Sequence, residues 1–188
     1  MRVTVYAGSS VDVDRRYLRA ASALGRRLAA RGDALVYGGT PLGLMGELAT
    51  AVRAGGGHVT GVIPALLVDR GLADPECDEL VVTADMGERK RTMVERAEAF
   101  VALPGGFGTL EELLEVLTLG QLGVHDRPIV LLDVAGFYAP LLATFEHLFE
   151  QGFADRSAAR RWVVARDVDE VFAHLDGDEP GRPRAPRA

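Results

Sequence analysis

About seven short runs rich in apolar and β-branched residues recur along the chain, most of them followed by a segment of helical periodicity, and this alternation constrains the fold more than any other feature. Strands are expected over Arg2–Ala7, Asp33–Tyr37, His58–Ile63, Leu80–Thr83, Ala99–Leu103, Pro128–Leu132 and Trp162–Ala165. Helices are expected over Asp14–Ala30, Leu44–Ala54, Met86–Ala97, Thr109–Leu122, Phe137–Glu150 and Val168–Leu175, and Pro64–Glu79 reads as irregular. In the first helix Tyr17, Leu18, Ala21, Leu24 and Leu28 fall on one face. The strands read as apolar throughout, as strands covered on both faces do. The expectation is a doubly wound, Rossmann-like α/β fold: a parallel sheet of about seven strands with helices on both faces. Such sheets bind ligands outside the carboxyl ends of their strands.

The 188 residues, 48% hydrophobic, suffice for one domain whose core needs no disulfide or metal staple. That domain is expected over residues 1–175, with a disordered tail over 176–188 (DGDEPGRPRAPRA). The lone Cys77 and an N-terminus that reads as a strand, not a signal peptide, point to the cytoplasm. No apolar run approaches the roughly 18 residues of a membrane helix. A formal net charge of −6 argues against nucleic acid as a partner. Of 21 basic residues, Lys90 is the single lysine.

Three glycine-rich turns follow expected strands: Gly8-Ser9-Ser10, Gly38–Gly46 and Pro104–Thr109. In Pro104-Gly105-Gly106-Phe107-Gly108-Thr109 the glycines are expected to permit positive φ and to bare backbone amides. The next helix would aim its free N–H groups and positive dipole end at the turn, which makes a seat for a phosphate. The same letters fit a capping box, Thr109-Leu-Glu-Glu112, in which Glu112 does no more than cap the helix. Neither a Walker lysine nor G-x-G-x-x-G spacing is present. Arg89-Lys90-Arg91 puts three cations near a helix start, against the dipole. Either an anionic ligand offsets them or they form a solvated face. His58, His125, His147 and His174 lack metal-ligand spacing, so neither a metal nor a cofactor is expected.

Taken together, Gly8-Ser9-Ser10, Tyr37-Gly38-Gly39 with Gly43-Leu44-Met45-Gly46, Met86 with Arg89-Lys90, and Pro104-Gly105-Gly106-x-Gly108-Thr109-x-x-Glu112 occur in an order that resembles the LONELY GUY family. Gln121–Pro128 (QLGVHDRP) is also similar, and the likeness runs from about residue 3 to residue 175. Members are nucleoside 5′-monophosphate phosphoribohydrolases that activate cytokinins and are often mislabelled lysine decarboxylases. The resemblance implies hydrolysis of the N-glycosidic bond of an adenosine-type 5′-monophosphate, a cytokinin riboside monophosphate or AMP, to free base and ribose 5-phosphate. It implies Arg89 and Glu112 as the catalytic pair. It assigns substrate binding to Gly8, Ser9, Gly39, Gly43, Met45, Gly46, Met86, Lys90, Gly105, Gly106, Gly108, Thr109 and Thr118. It also implies a homodimer or higher homo-oligomer with sites near the subunit interface. Three positions depart from the family: Gly71 stands where many plant members carry a substrate-contacting Glu, Gly87 where they carry His, and Thr40 where the third glycine of a G-G-G turn is usual.

Glycosidic cleavage passes through an oxocarbenium-like state that a carboxylate stabilises or supplies with water. In the first turn of a helix Glu112 would be ionised, which suits a base or a cation stabiliser. Arg89, always protonated, is expected to orient rather than donate. Glu111 is the competing carboxylate. A non-catalytic nucleotide sensor could share the fold without needing such a pair. A pyridoxal decarboxylase would need a Schiff-base lysine, for which Lys90 is the single candidate.

Overall fold

The computed structural model describes residues 1–177. Seven strands, β1 (Arg2–Tyr6), β2 (Ala34–Tyr37), β3 (Val59–Pro64), β4 (Glu79–Thr83), β5 (Ala99–Ala102), β6 (Ile129–Leu132) and β7 (Val163–Ala165), form one parallel sheet in the order β4-β3-β2-β1-β5-β6-β7. The helices are α1 (Arg15–Arg31), α2 (Gly43–Ala54), α3 (Ala65–Val68), α4 (Met86–Arg96), α5 (Phe107–Gln121), α6 (Ala139–Glu150) and α7 (Val168–Asp176). The doubly wound expectation therefore holds. No helix among the described residues is long and apolar enough to cross a membrane.

Strand periodicity sorts the core into two layers. Val3, Val5, Leu35, Tyr37, Val101 and Val130 point to one face, where they pack with Leu24 and Leu28 of α1, Leu48 and Val52 of α2, and Phe172 of α7. Tyr6, Val36, Phe100, Ala102 and Leu131 point to the other, with Met93 of α4, Leu113 and Val116 of α5, and Phe145 of α6. The chain winds outward from β1 to β4, and α4 then returns it across the sheet to β5 beside β1. The strand order reverses between β1 and β5, which is where a crevice opens in folds of this kind.

Two expectations need correction. The edge strand β4 is not apolar on both sides: Leu80 and Val82 are 38% and 52% exposed while Thr83 is buried, because only one edge and one face have neighbours. Pro64–Glu79 is not wholly irregular, since it holds the single turn α3, which stops when Gly71 takes φ +71° and donates to the Val68 carbonyl. The expected tail over 176–188 falls almost wholly outside the described residues. Asp176 itself ends α7 and pairs with Arg31 at 2.7 Å.

Candidate active site

The three glycine turns converge at the β1/β5 reversal. Gly8 donates to the Pro104 carbonyl at 3.1 Å, and the Gly8 carbonyl accepts from Leu44 at 2.9 Å and Met45 at 3.3 Å. Gly43 has φ +57°, and a Cβ there would lie 2.8 Å from the Ser9 carbonyl oxygen, so both conformation and crowding exclude a side chain. Gly105 is needed for a different reason. Its φ is not positive, contrary to expectation, but a Cβ would collide with the Thr109 side chain and lie 2.9 Å from the Gly8 nitrogen. Gly106 and Gly108 also lack positive φ, and a Cβ on either would meet nothing within 4 Å. Nothing in the chain itself demands glycine at these two positions, and open space lies before both.

Helix α5 begins at Phe107 with Gly106 as its N-cap and no side-chain cap, so the capping box, the alternative reading of these letters, is not formed. Thr109 is already inside the helix, and Glu112 sits in its second turn, not its first. A related arrangement, in which the glutamate accepts from the residue before the N-cap, occurs elsewhere. Asp85 accepts from the Glu88 amide while Glu88 accepts from that of Ala84, and Asp167 and Glu170 repeat the pattern at α7.

Glu112 is instead bound to Arg89, whose Nη1 donates to its Oε1 at 2.5 Å, both side chains being more than nine-tenths buried. Arg89 is anchored from behind: Nε donates to the Val62 carbonyl of β3 at 2.9 Å and Nη2 to the Gly38 carbonyl at 3.4 Å. The crossover α4 passes beneath β3 and β2, which is why a residue at its start reaches the carboxyl ends of both. Burial pushes the Glu112 carboxyl above the usual glutamate range, and the Arg89 charge pulls it partly back. The dipole argument for an ionised Glu112 therefore gives way to desolvation as the first influence. The phenol of Tyr6, at the end of β1, is held protonated by burial and then by the nearby Glu112 charge.

The cation run divides three ways. Arg89 is buried, Arg91 is exposed, and Lys90 donates to Glu111 at 2.6 Å with Glu115 at 3.7 Å. Glu111 thus faces outward as the partner of Lys90, which separates it from Glu112. Met86 is exposed one turn before Lys90, and Met45 places its sulfur against Gly38. Ser9 is exposed at the mouth, Gly39 takes φ +73° beside Ile63, and Gly46 packs on Pro41 of its own turn. Thr118 is the exception. It lies six residues beyond Glu112 on the exposed side of α5, donates to the Leu114 carbonyl at 2.8 Å, and lines an apolar cavity of about 160 Å³ with Leu148, Phe149 and Trp162. A second cavity, about 290 Å³, reaches Gly43 and Gly46 from the α1 side through Val11, Leu18 and Glu47. Neither cavity is lined by Arg89 or Glu112. The backbone carbonyls of Val62 and Gly38, and the phenol of Tyr6, escaped the sequence because carbonyl partners carry no sequence signature and Tyr6 ends an apolar strand.

A family described as possible lysine decarboxylase matches residues 45–175. A protein of Oryza sativa subsp. japonica named a probable cytokinin riboside 5′-monophosphate phosphoribohydrolase is 45% identical over 179 residues, covering 95% of this chain and 73% of its own. A second from the same plant, similarly named, is 47% identical over 93% of this chain and 77% of its own. A cytokinin riboside 5′-monophosphate phosphoribohydrolase of Arabidopsis thaliana is 44% identical over 95% and 83%. The chain belongs to this phosphoribohydrolase family. The decarboxylase description of the matched segment does not carry its chemistry, since these relatives are named hydrolases and Lys90 is engaged by two carboxylates. Among solved structures, the molybdenum cofactor carrier protein of Chlamydomonas reinhardtii superposes with a TM-score of 0.69 at 24% identity, covering 94% of this chain and 96% of that one. A molybdenum cofactor binding protein of Rippkaea orientalis gives 0.71 at 20%, over 94% and 96%. At those identities the likeness shows the fold alone.

Proposed function

We propose that the chain hydrolyses the N-glycosidic bond of an adenosine-type nucleoside 5′-monophosphate, a cytokinin riboside monophosphate or AMP, and that Arg89 and Glu112 carry the reaction. The observation that carries this reading is the buried Arg89–Glu112 pair beside a helix N-terminus whose Gly106 and Gly108 face open space. The helix end and bare amides suit the 5′-phosphate. The bond between C1′ and the base breaks with its electron pair leaving on the base. Water delivers hydroxide to C1′ and a proton goes to the departing nitrogen, so free base and ribose 5-phosphate result. Glu112 takes the water proton or stabilises the cationic sugar, and Arg89 holds the carboxylate in place. Lys90 reaches the phosphate by exchanging Glu111 for it.

Gly8, Ser9, Gly39, Gly43, Met45, Gly46, Met86, Gly105, Gly106, Gly108 and Thr109 form the proposed binding surface of this chain. The α5/α6 face exposes Leu114, Leu122, Leu148 and Phe153, which supports association of like chains there. The proposed location is the cytoplasm. The deciding experiment incubates the purified chain with AMP and with a prenylated adenosine monophosphate and follows free base and ribose 5-phosphate by chromatography. Stoichiometric appearance of both products is expected. AMP retained without base release would leave a nucleotide sensor instead.

A further inference from the structure

We propose that Asp74 is a positioning residue for Arg89, acting through the Gly38–Gly39 turn; the inference rests on the assignment of Arg89 to the site. Asp74 is 1% exposed and lies in the segment between α3 and β4. Its Oδ2 accepts from the Tyr37 hydroxyl at 2.6 Å and from Arg53 Nη1 of α2 at 2.9 Å, its Oδ1 accepts from the Glu76 amide at 3.0 Å, and its own amide donates to the Gly39 carbonyl at 2.8 Å. One residue therefore grips the turn at positions 37 and 39. The residue between them, Gly38, is the one whose carbonyl accepts from Arg89. A Cβ on Gly38 would run into the Arg89 guanidinium and the Met45 sulfur, so the turn and the arginine are in direct contact and a shift of one displaces the other.

A packing role alone does not call for this chemistry. Burying a carboxylate and a guanidinium is costly, and apolar replacements of similar volume are often as stable. What the carboxylate adds is direction: three donors from β2, α2 and the segment's own backbone meet on it; Arg53 and the Glu76 amide hold Asp74 in place, and the Tyr37 hydroxyl, with the Gly39 carbonyl on the Asp74 amide, ties it to both sides of Gly38. Burial alone would push the Asp74 carboxyl up, but hydrogen bonds accepted from the Tyr37 hydroxyl, the Glu76 amide and Arg53 keep it below its ordinary range, so the clamp stays charged at neutral pH.

The test compares the full chain with its Asp74→Asn and Tyr37→Phe variants. Three quantities are read: kcat and KM for base release from AMP, the pH profile of kcat, and the Nε–H NMR signal of Arg89, assigned by its loss in Arg89→Lys. Positioning predicts that kcat falls about tenfold in Asp74→Asn with KM within about twofold. The acidic limb moves upward because a loosened Arg89 no longer offsets the burial of Glu112; the other charges facing that carboxylate, Lys90 and Glu111, are untouched. The Arg89 signal shifts or broadens, and Tyr37→Phe, which removes one donor, gives a smaller change of the same kind. A lowered melting temperature with unchanged kcat, acidic limb and Arg89 signal would overturn the proposal and leave Asp74 a fold clamp. If Asp74→Asn does not fold, Tyr37→Phe decides on the same readings. An inactive parent chain would sink the hydrolase reading and not this one, because the Arg89 signal reports without turnover.

Discussion

At the scale of single residues, Glu112 and Glu111 are neighbours with opposite fates, and helical phase decides between them. Thr109, Glu112, Leu113, Val116, Leu117 and Gly120 form the buried stripe of α5, at the i, i+3, i+4 spacing of an inward face. Glu111 falls off that stripe, and so does Thr118. This signal was legible in the sequence; the capping-box match at Thr109–Glu112 masked it by suggesting a later helix start. Replacing Glu112 with Gln should keep the fold and nucleotide binding while lowering base release by about 10²–10⁴-fold, the range of one positioned acid–base group. Assays of kcat beside calorimetric AMP binding check this, and full turnover would remove Glu112 from the mechanism. Its pH behaviour follows from the direction of the shift. A raised carboxyl retains its proton to higher pH than a solvated glutamate. If the carboxylate is the working form, kcat drops as pH falls through a value above the ordinary one near 4.5. The stability sign is consistent: folding favours the protonated form, so the contribution of Glu112 to stability declines as pH rises from 4.5 to the raised value. Denaturant midpoints across that window should lose this component of their slope in Glu112→Gln.

At the scale of elements, the turn between β5 and α5 separates glycines required by the fold from glycines left open to a ligand. Gly105 touches Thr109 and Gly8, so Gly105→Ala overpacks the junction of two turns and should cost about 1–3 kcal/mol, read as a lowered denaturant midpoint. Gly106 meets nothing but is the N-cap of α5, where Ala is less favourable than Gly, so Gly106→Ala should cost no more than about 1 kcal/mol. If a phosphate sits against it, the added methyl should raise the KM for AMP. Equal kinetics in parent and Gly106→Ala would move the phosphate elsewhere. The position of this turn was plain from sequence because glycine and proline punctuate it. Its geometry was not, because the glycines serve close approach and openness in place of the expected positive φ. Likewise Asp85, one residue before the helix expected from Met86, is a true N-cap of α4, and its loss in Asp85→Ala should cost about 1 kcal/mol by releasing the Glu88 amide.

At the scale of the whole molecule, strand alternation was enough to foresee a doubly wound sheet, because the apolar runs inside the sheet had to be covered on both faces; the edge run β4 is the exception. It did not yield the strand order, which depends on where the chain turns back. That return, made by α4, sets Arg89 under β2 and β3 and so joins residues 51 and 27 positions apart in sequence to one guanidinium. Thr118 is the residue this topology leaves stranded. It lines the apolar cavity of Leu114, Leu148 and Trp162, to which no residue of the glycine turns contributes. An association of like chains through the α5/α6 face that brought Thr118 to the site of a neighbour would reconcile its geometry with the role the family resemblance gives it. Sedimentation should then show a dimer or larger species that Leu114→Glu with Leu148→Glu reduces to monomer. A sharper reading comes from mixing two impaired variants, Glu112→Gln and Thr118→Ala. If each site takes Glu112 from one chain and Thr118 from another, mixed assemblies contain one intact site, and base release rises above that of either variant alone. If both residues serve a site within a single chain, mixing restores nothing, and Thr118 remains a helix-surface hydroxyl bonded to Leu114.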